Sequence, residues 1–163
     1  SDLPPGTPDD IRQRVSDDPQ NRAFLLVPVE QSAAGQAIVL NQRDIRQLQL
    51  ASGAIRTGIE LLLSRAGIEP GQVAALYLAG GFGNYIRRAK ARRIGLIPPS
   101  IPGDRIRYCG NTSLAGARLA LLSREKRREA ERLAARTMHI DLAADPQFQW
   151  TFADAMIFPS GDQ

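Results

Sequence analysis

Apolar residues change their spacing along this chain, and the spacing predicts strands that alternate with helices. Runs of apolar residues predict strands over 22–30, 37–40, 73–79, 105–109 and 138–142. Helical patterns lie between Asn41 and Gly67 and over 84–94, 114–122, 124–136 and 148–158, and a short helix is possible over 9–16. A small-residue turn at 31–36 joins the first two strands into a hairpin, and Pro28 places the first strand at an edge or a bulge.

The order of these elements predicts the fold class. A hairpin followed by two parallel crossovers is typical of an α/β, ribonuclease-H-like lobe with a mixed sheet and flanking helices. A doubly wound dinucleotide fold begins instead with parallel units. We expect residues 1–21 to form a linker or N-terminal arm, residues 22–158 the lobe, and residues 159–163 a tail.

The same pattern predicts the core. Strand 73–79 does not alternate, which predicts burial on both faces. The long helix and the terminal helix each carry apolar residues expected to cover the core: Ile45, Leu48, Ile55, Ile59 and Leu62 in the first, and Phe148, Trp150, Phe152 and Ile157 in the second.

Composition excludes several classes of protein. No run of 18 apolar residues exists, so no membrane-spanning helix is expected. The one cysteine, Cys109, excludes an internal disulfide and an iron–sulfur cluster held by four thiolates of this chain alone. The one histidine, His139, argues against a histidine-based metal site or a Ser-His-Asp triad.

Charge is concentrated in the middle of the chain. Residues 41–136 hold 18 basic and 7 acidic side chains, a formal charge of +11, whereas the whole chain carries +4. A basic middle suits an acidic protein partner, a nucleotide or a nucleic acid, but five cations within the helix at 84–94 also suit a solvated face. Single-strand binding requires interleaved aromatic residues, and Tyr85 is the one nearby, which argues against nucleic acid.

Glycines follow two of the predicted strands. Gly80, Gly81 and Gly83 come after strand 73–79, and Gly110 and Asn111 come after strand 105–109. Strand ends of this kind are where open α/β sheets bind nucleotides, and glycine admits a ligand close to the backbone. A tight turn without a ligand explains the same residues. At the start of the long helix, Asn41 is predicted as the N-cap with Asp44 at N3, close to a capping box. The alternative is a ligand-binding role for Gln42 and Asp44.

The first glycine cluster departs from the dinucleotide fingerprint. Ile86 replaces its third glycine, and Asp104 precedes the next strand where the ribose-binding acid should follow it. A Walker-type phosphate loop is absent from the sequence.

Four segments, which follow one another in this order along the chain, carry a family resemblance. They read LNQRDIRQLQLA at 40–51, AGGFGNYI at 79–86, GLIP at 95–98 and YCGNTSLAGAR at 108–118. Together they resemble the C-terminal region of the ATP-dependent reductive activators of corrinoid proteins, which contain an actin-like ATPase. The resemblance covers residues 22–158.

The resemblance implies a function. Proteins of that family join a [2Fe–2S] ferredoxin-like module to a two-lobed actin-like ATPase, and they use ATP to reduce the cob(II)alamin of a methyl-transfer corrinoid protein to cob(I)alamin. By similarity, this chain is the second lobe, which shares Mg-ATP with a missing first lobe; the cluster belongs to a missing module. The adenosine side would be lined by Gly80, Gly81, Phe82, Gly83 and Asn84, with Gly110 and Asn111 bordering the same cleft.

The resemblance also implies a corrinoid protein partner and a cytoplasmic location, and it allows a homodimer. The fragment alone is expected to be inactive. A non-catalytic interaction or dimerisation module with a basic face, or a nucleic-acid-binding domain, are the alternatives.

Overall fold

A computed structural model describes residues 3–16, 18, 21–81, 83 and 85–159. The chain divides into two compact units, 1–51 and 52–163. Both contain strands and helices, so the predicted α/β class is confirmed.

The first unit is built on the predicted hairpin. It contains α1 (Asp9–Arg12), β1 (Ala23–Val27), β2 (Ile38–Asn41) and the start of α2 (Gln42–Ala66). The two strands pair antiparallel, and their register shifts between Leu25 and Val27, which confirms the irregularity expected near Pro28. A short 3-10 helix, Val29–Gln31, begins the connection between the strands.

Residues before the hairpin also pair with it. The backbone N–H of Ser16 donates to the Ala23 carbonyl at 2.8 Å, and the N–H of Leu25 donates to the Arg14 carbonyl at 2.7 Å. These bonds hold part of the predicted arm against β1. The limits proposed for the arm, lobe and tail stay a prediction.

The second unit contains the predicted parallel pair. The rest of α2 is followed by β3 (Leu76–Ala79), α3 (Arg88–Arg93), β4 (Ile106–Gly110), α4 (Thr112–Leu122), α5 (Arg124–Arg136) and α6 (Phe148–Ala155). β3 and β4 are parallel, with Leu76 opposite Ile106 and Leu78 opposite Tyr108. The strands described therefore form two two-stranded sheets, β1 with β2 and β3 with β4.

Several predicted elements differ from the structure. The prediction of a strand over 138–142 is wrong. Residues 138–141 form no regular element, and a short 3-10 helix follows at Leu142–Ala144. The Asp141 carboxylate accepts a hydrogen bond from the N–H of Ala143 at 3.0 Å, which turns the chain there. The helix expected over 84–94 begins only at Arg88, and the terminal helix ends at Ala155, before the predicted end at 158.

Buried isoleucines form the core beside the parallel pair. Ile97, Ile101 and Ile106 are almost fully buried together with Ala91. β3 contributes one face only, because Leu76 and Leu78 pack against this cluster while Tyr77 is exposed. The prediction that β3 is buried on both faces is therefore wrong.

The buried stripe of α2 consists mostly of small residues. Ser52, Gly53, Thr57 and Leu61 are buried, whereas Leu48, Ile55 and Leu62, expected in the core, are exposed. Ile59 does pack against the core cluster.

Small residues allow the segment 142–159 to approach α2 closely. A Cβ atom on Gly53 would lie 3.0 Å from Met156 Cγ, and one on Gly58 would lie 3.4 Å from Leu142 Cδ1. An ion pair 2.7 Å long joins Arg65 to Asp145. The face of α2 that is buried is therefore the one that allows close backbone contact and an ion pair with segment 142–159. The spacing of apolar residues along the sequence indicates neither of these interactions.

The terminal helix covers the core less than expected. Phe148 and Phe152 are half-buried and stack with their ring centroids 5.7 Å apart. Trp150 is 80% exposed and Ile157 is exposed, so their predicted burial is wrong. None of the helices described is long and apolar enough to cross a membrane.

Candidate functional site

Gly80 and Gly110 meet at the carboxyl ends of β3 and β4. The N–H of Gly80 donates to the carbonyl of Gly110 at 2.7 Å. Their φ angles are +96° and +62°, values that residues with a Cβ rarely adopt. The structure thus brings together the two glycine positions that the sequence placed after separate strands. We call Gly80, Gly81 and Gly110 the glycine ledge.

The glycine ledge is open. Among the described residues, and apart from its chain neighbours, a Cβ atom built on any of its three glycines would have no atom within 4 Å. Gly83 differs, because a Cβ there would lie 3.3 Å from the Leu78 carbonyl oxygen. Gly83 thus allows the turn to pack on β3, while the ledge exposes bare main chain. Phe82 and Asn84, also predicted to line the site, lie outside the described residues.

Helix α4 begins directly after the ledge. The Asn111 Oδ1 atom accepts a hydrogen bond from the N–H of Leu114 at 3.0 Å, so Asn111 is the N-cap of this helix. The predicted site residue therefore has a structural role that fixes where the first turn of α4 starts. N–H groups in a first turn attract anions.

Gln42 and Asp44 lie in the first unit, and the ledge lies in the second. Asp44 Oδ2 accepts a hydrogen bond from the N–H of Asn41, and Asn41 Oδ1 accepts one from the N–H of Asp44, each at 3.0 Å. This reciprocal pair is the capping box that the sequence suggested. Capping accounts for Asp44, and a ligand role for either residue stays a prediction.

Tyr108 connects β4 to the loop that leaves the ledge. Its hydroxyl donates to the carbonyl of Ile86. The guanidinium carbon of Arg88 lies 5.1 Å from the centroid of the Tyr108 ring, a cation–π contact. Sequence reasoning missed this contact. Because Tyr108 lies two residues after the buried Ile106, its spacing indicates which face of the strand it occupies. The neighbouring sequence does not indicate that Arg88 and Ile86 are its partners.

Two arginines that contact residues preceding β3 or β4 have structural roles. Arg92 Nη2 donates to the Pro99 carbonyl at 2.5 Å, and Arg105 Nη1 donates to the carbonyls of Gly71 and Val73 at 2.6 and 2.8 Å. These cations hold loops and satisfy carbonyls. They do not define a site for a negatively charged ligand.

The described residues contain no group of three or more His, Cys, Asp or Glu side chains placed to hold a metal ion. Cys109 is exposed and is the only cysteine in the sequence, so four-thiolate ligation by this chain is impossible. The residues therefore do not fit a [2Fe–2S] cluster, and no magnesium ligand is assigned to them. Around the ledge, the described residues leave open space against the main chain.

A family model described as "C-terminal domain of RACo the ASKHA domain" matches residues 6–163. The chain belongs to this family. Its membership confirms the resemblance and the actin-like fold inferred from the sequence.

Curated relatives are named for corrinoid activation. The chain is 39% identical over 136 residues to the corrinoid activation enzyme RamQ of Eubacterium limosum, covering 83% of this chain and 23% of the relative. It is 31% identical over 103 residues to the "[Co(II) methylated amine-specific corrinoid protein] reductase" of Methanosarcina barkeri, covering 63% and 19%.

A solved structure titled "Reductive activator for corrinoid,iron-sulfur protein" is also similar. It superposes with a TM-score of 0.76 at 31% identity, covering 91% of this chain and 23% of that one. The chain thus spans about a quarter or less of the length of the proteins it matches.

Proposed function

We propose that this chain is the C-terminal ATPase lobe of a cytoplasmic reductive activator. The activator would use ATP to drive reduction of cob(II)alamin to cob(I)alamin in a corrinoid methyl-transfer protein. Family membership and the names of the relatives support corrinoid activation. The observation that carries the role of ATP is the glycine ledge, where two parallel strands end in main chain without side chains.

The ledge suits the adenosine part of the nucleotide. An adenine ring or ribose could lie within van der Waals distance of the backbone only where side chains are absent, as at Gly80, Gly81 and Gly110. Next to the ledge, the first turn of α4, fixed by the Asn111 cap, offers N–H donors to an anionic group. The residues of this chain thus bind and orient the nucleotide.

Phosphoryl transfer would need a second lobe. In actin-like ATPases two lobes close on Mg-ATP. Catalysis then depends mostly on positioning the reacting groups and neutralising the negative charge of the phosphates. Closure driven by nucleotide would shift the population of the closed form and so control docking of the corrinoid protein. Hydrolysis of ATP by this chain alone is not expected.

Gly81→Ala tests the proposed nucleotide position. The backbone of Gly81 is outside the left-handed region, and no described residue other than its chain neighbours has an atom within 4 Å of the added methyl group, so the fold should tolerate it. A nucleotide lying on the ledge would meet that methyl group. We expect affinity for a nonhydrolysable ATP analogue, measured by titration calorimetry, to fall at least about tenfold, a loss near 1.4 kcal/mol.

Gly116→Ala is the matched control. Gly116 lies within α4 and also has open space around it. This variant should bind the analogue as the wild type does. Equal affinities for the wild type and Gly81→Ala, or no binding by the wild type, would refute the proposed site.

A further inference from the structure

Helix α3 exposes an unusual concentration of positive charge. Residues 87–93 carry five basic side chains and no acidic one. Ala91 is buried and Arg92 is half-buried, with its guanidinium held by the Pro99 carbonyl. The other four cations are exposed. We call them the α3 basic face: Arg87, Arg88, Lys90 and Arg93.

The charges of this face are not compensated within the part of the chain that the structure describes. None of the four forms an ion pair there, whereas Arg56 pairs with Glu60, Arg65 with Asp145 and Lys126 with Glu129. Like charges three and four residues apart destabilise a helix. Arg88 contacts Tyr108, and Lys90 and Arg93 lie in the last turn of α3, where the helix dipole favours positive charge. No described anionic side chain balances the face, and a partner is the simplest reason for its charge.

Tyrosines beside the face favour a protein partner. Tyr85 is 86% exposed and precedes α3 by three residues, and Arg88 lies over the ring of Tyr108. Tyrosine and arginine are enriched among the residues that dominate protein–protein binding energy. A single-stranded nucleic acid would instead need free aromatic faces for its bases, and Arg88 already covers one face of Tyr108.

We propose that an acidic surface of the corrinoid protein docks on the α3 basic face. This inference rests on the proposed function, because the identity of the partner comes from it. Charge complementarity selects the acidic surface. The Arg88–Tyr108 contact and the hydrogen bond from Tyr108 to Ile86 make the face continuous with the loop that leaves the glycine ledge. Docking therefore occurs beside the proposed nucleotide position.

A charge-reversal pair tests the docking surface. The double variant Arg87→Glu/Lys90→Glu is compared with Arg124→Glu/Arg128→Glu on α5, which changes the formal charge by the same amount at exposed positions. Arg88 is left in place so that its contact with Tyr108 persists. The probe is the Co(II) form of the methylated amine-specific corrinoid protein, with binding followed by interferometry at low and at raised salt.

The α3 double variant should bind the corrinoid protein at least about tenfold more weakly than the wild type, and the α5 variant should lose less than about twofold. Wild-type binding should also weaken as salt rises. Equal losses in the two variants, or no wild-type binding at low salt, would overturn the inference. A loss confined to binding of a single-stranded oligonucleotide would overturn it in favour of a nucleic-acid surface.

Calorimetry with the ATP analogue on the same variants separates this inference from the proposed function. Docking that depends on α3, with no nucleotide binding, would refute the ATP role and leave the docking surface intact. Nucleotide binding without α3-dependent docking would refute the docking surface and leave the proposed ATP role intact.

Discussion

Two helical glycines should respond oppositely to the same substitution. A Cβ on Gly53 would lie 3.0 Å from Met156 Cγ and 3.2 Å from the Met156 backbone nitrogen. One on Gly116 would meet no atom of the described residues within 4 Å, apart from the backbone of its own helix and its chain neighbours. Gly53→Ala should therefore lower the free energy of unfolding by about 1–3 kcal/mol through overpacking. Gly116→Ala should raise it by about 0.5–1 kcal/mol, because alanine loses less backbone entropy in a helix. Urea denaturation measures both, and a stabilising Gly53→Ala would contradict the close approach.

Asp145 should give the stability of the protein a pH dependence. Its buried carboxylate accepts a hydrogen bond from the backbone N–H of Gln147 at 2.9 Å and one from Arg65 at 2.7 Å. These bonds, the first above all, hold the pKa of Asp145 below its usual value. Because the folded pKa is the lower one, the stabilisation is complete above the unfolded pKa of about 3.9 and is lost as pH falls through the folded pKa.

Asp145→Asn isolates this contribution. The wild type should exceed the variant in free energy of unfolding by more at about pH 6 than at about pH 3. Denaturant titrations at both pH values measure the two differences. A difference that does not change with pH would show that the carboxylate charge has no part in anchoring segment 142–159 to α2.

Individual glycines were predictable where the signal is local. Gly80 and Gly110 each follow an apolar strand and precede a helix or turn, so the sequence marked both. The hydrogen bond that joins them was not visible, since it depends on parallel pairing of β3 with β4. The role of Tyr108 was missed for the same reason: its partner, Ile86, is 22 residues away.

At the scale of elements, Tyr108 is expected to hold the loop between Gly80 and α3 in place. Tyr108→Phe removes the hydrogen bond to the Ile86 carbonyl and keeps the ring beneath Arg88. We expect a loss of about 0.5–1.5 kcal/mol in stability. Amide exchange should increase for residues 85–87, while the amides of α5 remain as protected as in the wild type. Unchanged exchange at 85–87 would show that the loop does not depend on Tyr108.

Elements with local end signals were predicted well. Helix α5 matches its predicted range, and the Ser123 hydroxyl caps it by accepting a hydrogen bond from the N–H of Lys126 at 3.2 Å. The segment 138–142 was predicted wrongly because its apolar alternation is short and Asp141 turns the chain. Apolar periodicity placed Ile59 of α2 correctly, but Leu48, Ile55 and Leu62 are exposed, since the close approach of Met156 buries Gly53.

At the scale of the whole molecule, the chain is expected to bind ATP without hydrolysing it. It corresponds to a C-terminal domain and spans about a quarter or less of its relatives, and its described residues place bare main chain at the carboxyl ends of two parallel strands. In coupled-enzyme assays with Mg-ATP, we expect phosphate release at the level of the buffer alone. Release at the rate of a full-length activator would refute the need for a second lobe.

Cys109 lies one residue before the glycine ledge, is exposed, and carries the only thiol in the sequence. A maleimide dye would therefore label a single position, Cys109, without any substitution in the protein. If adenine binds at the neighbouring strand end as proposed, the fluorescence of the dye should change when nucleotide is added, and also when a macromolecule shields the label from water.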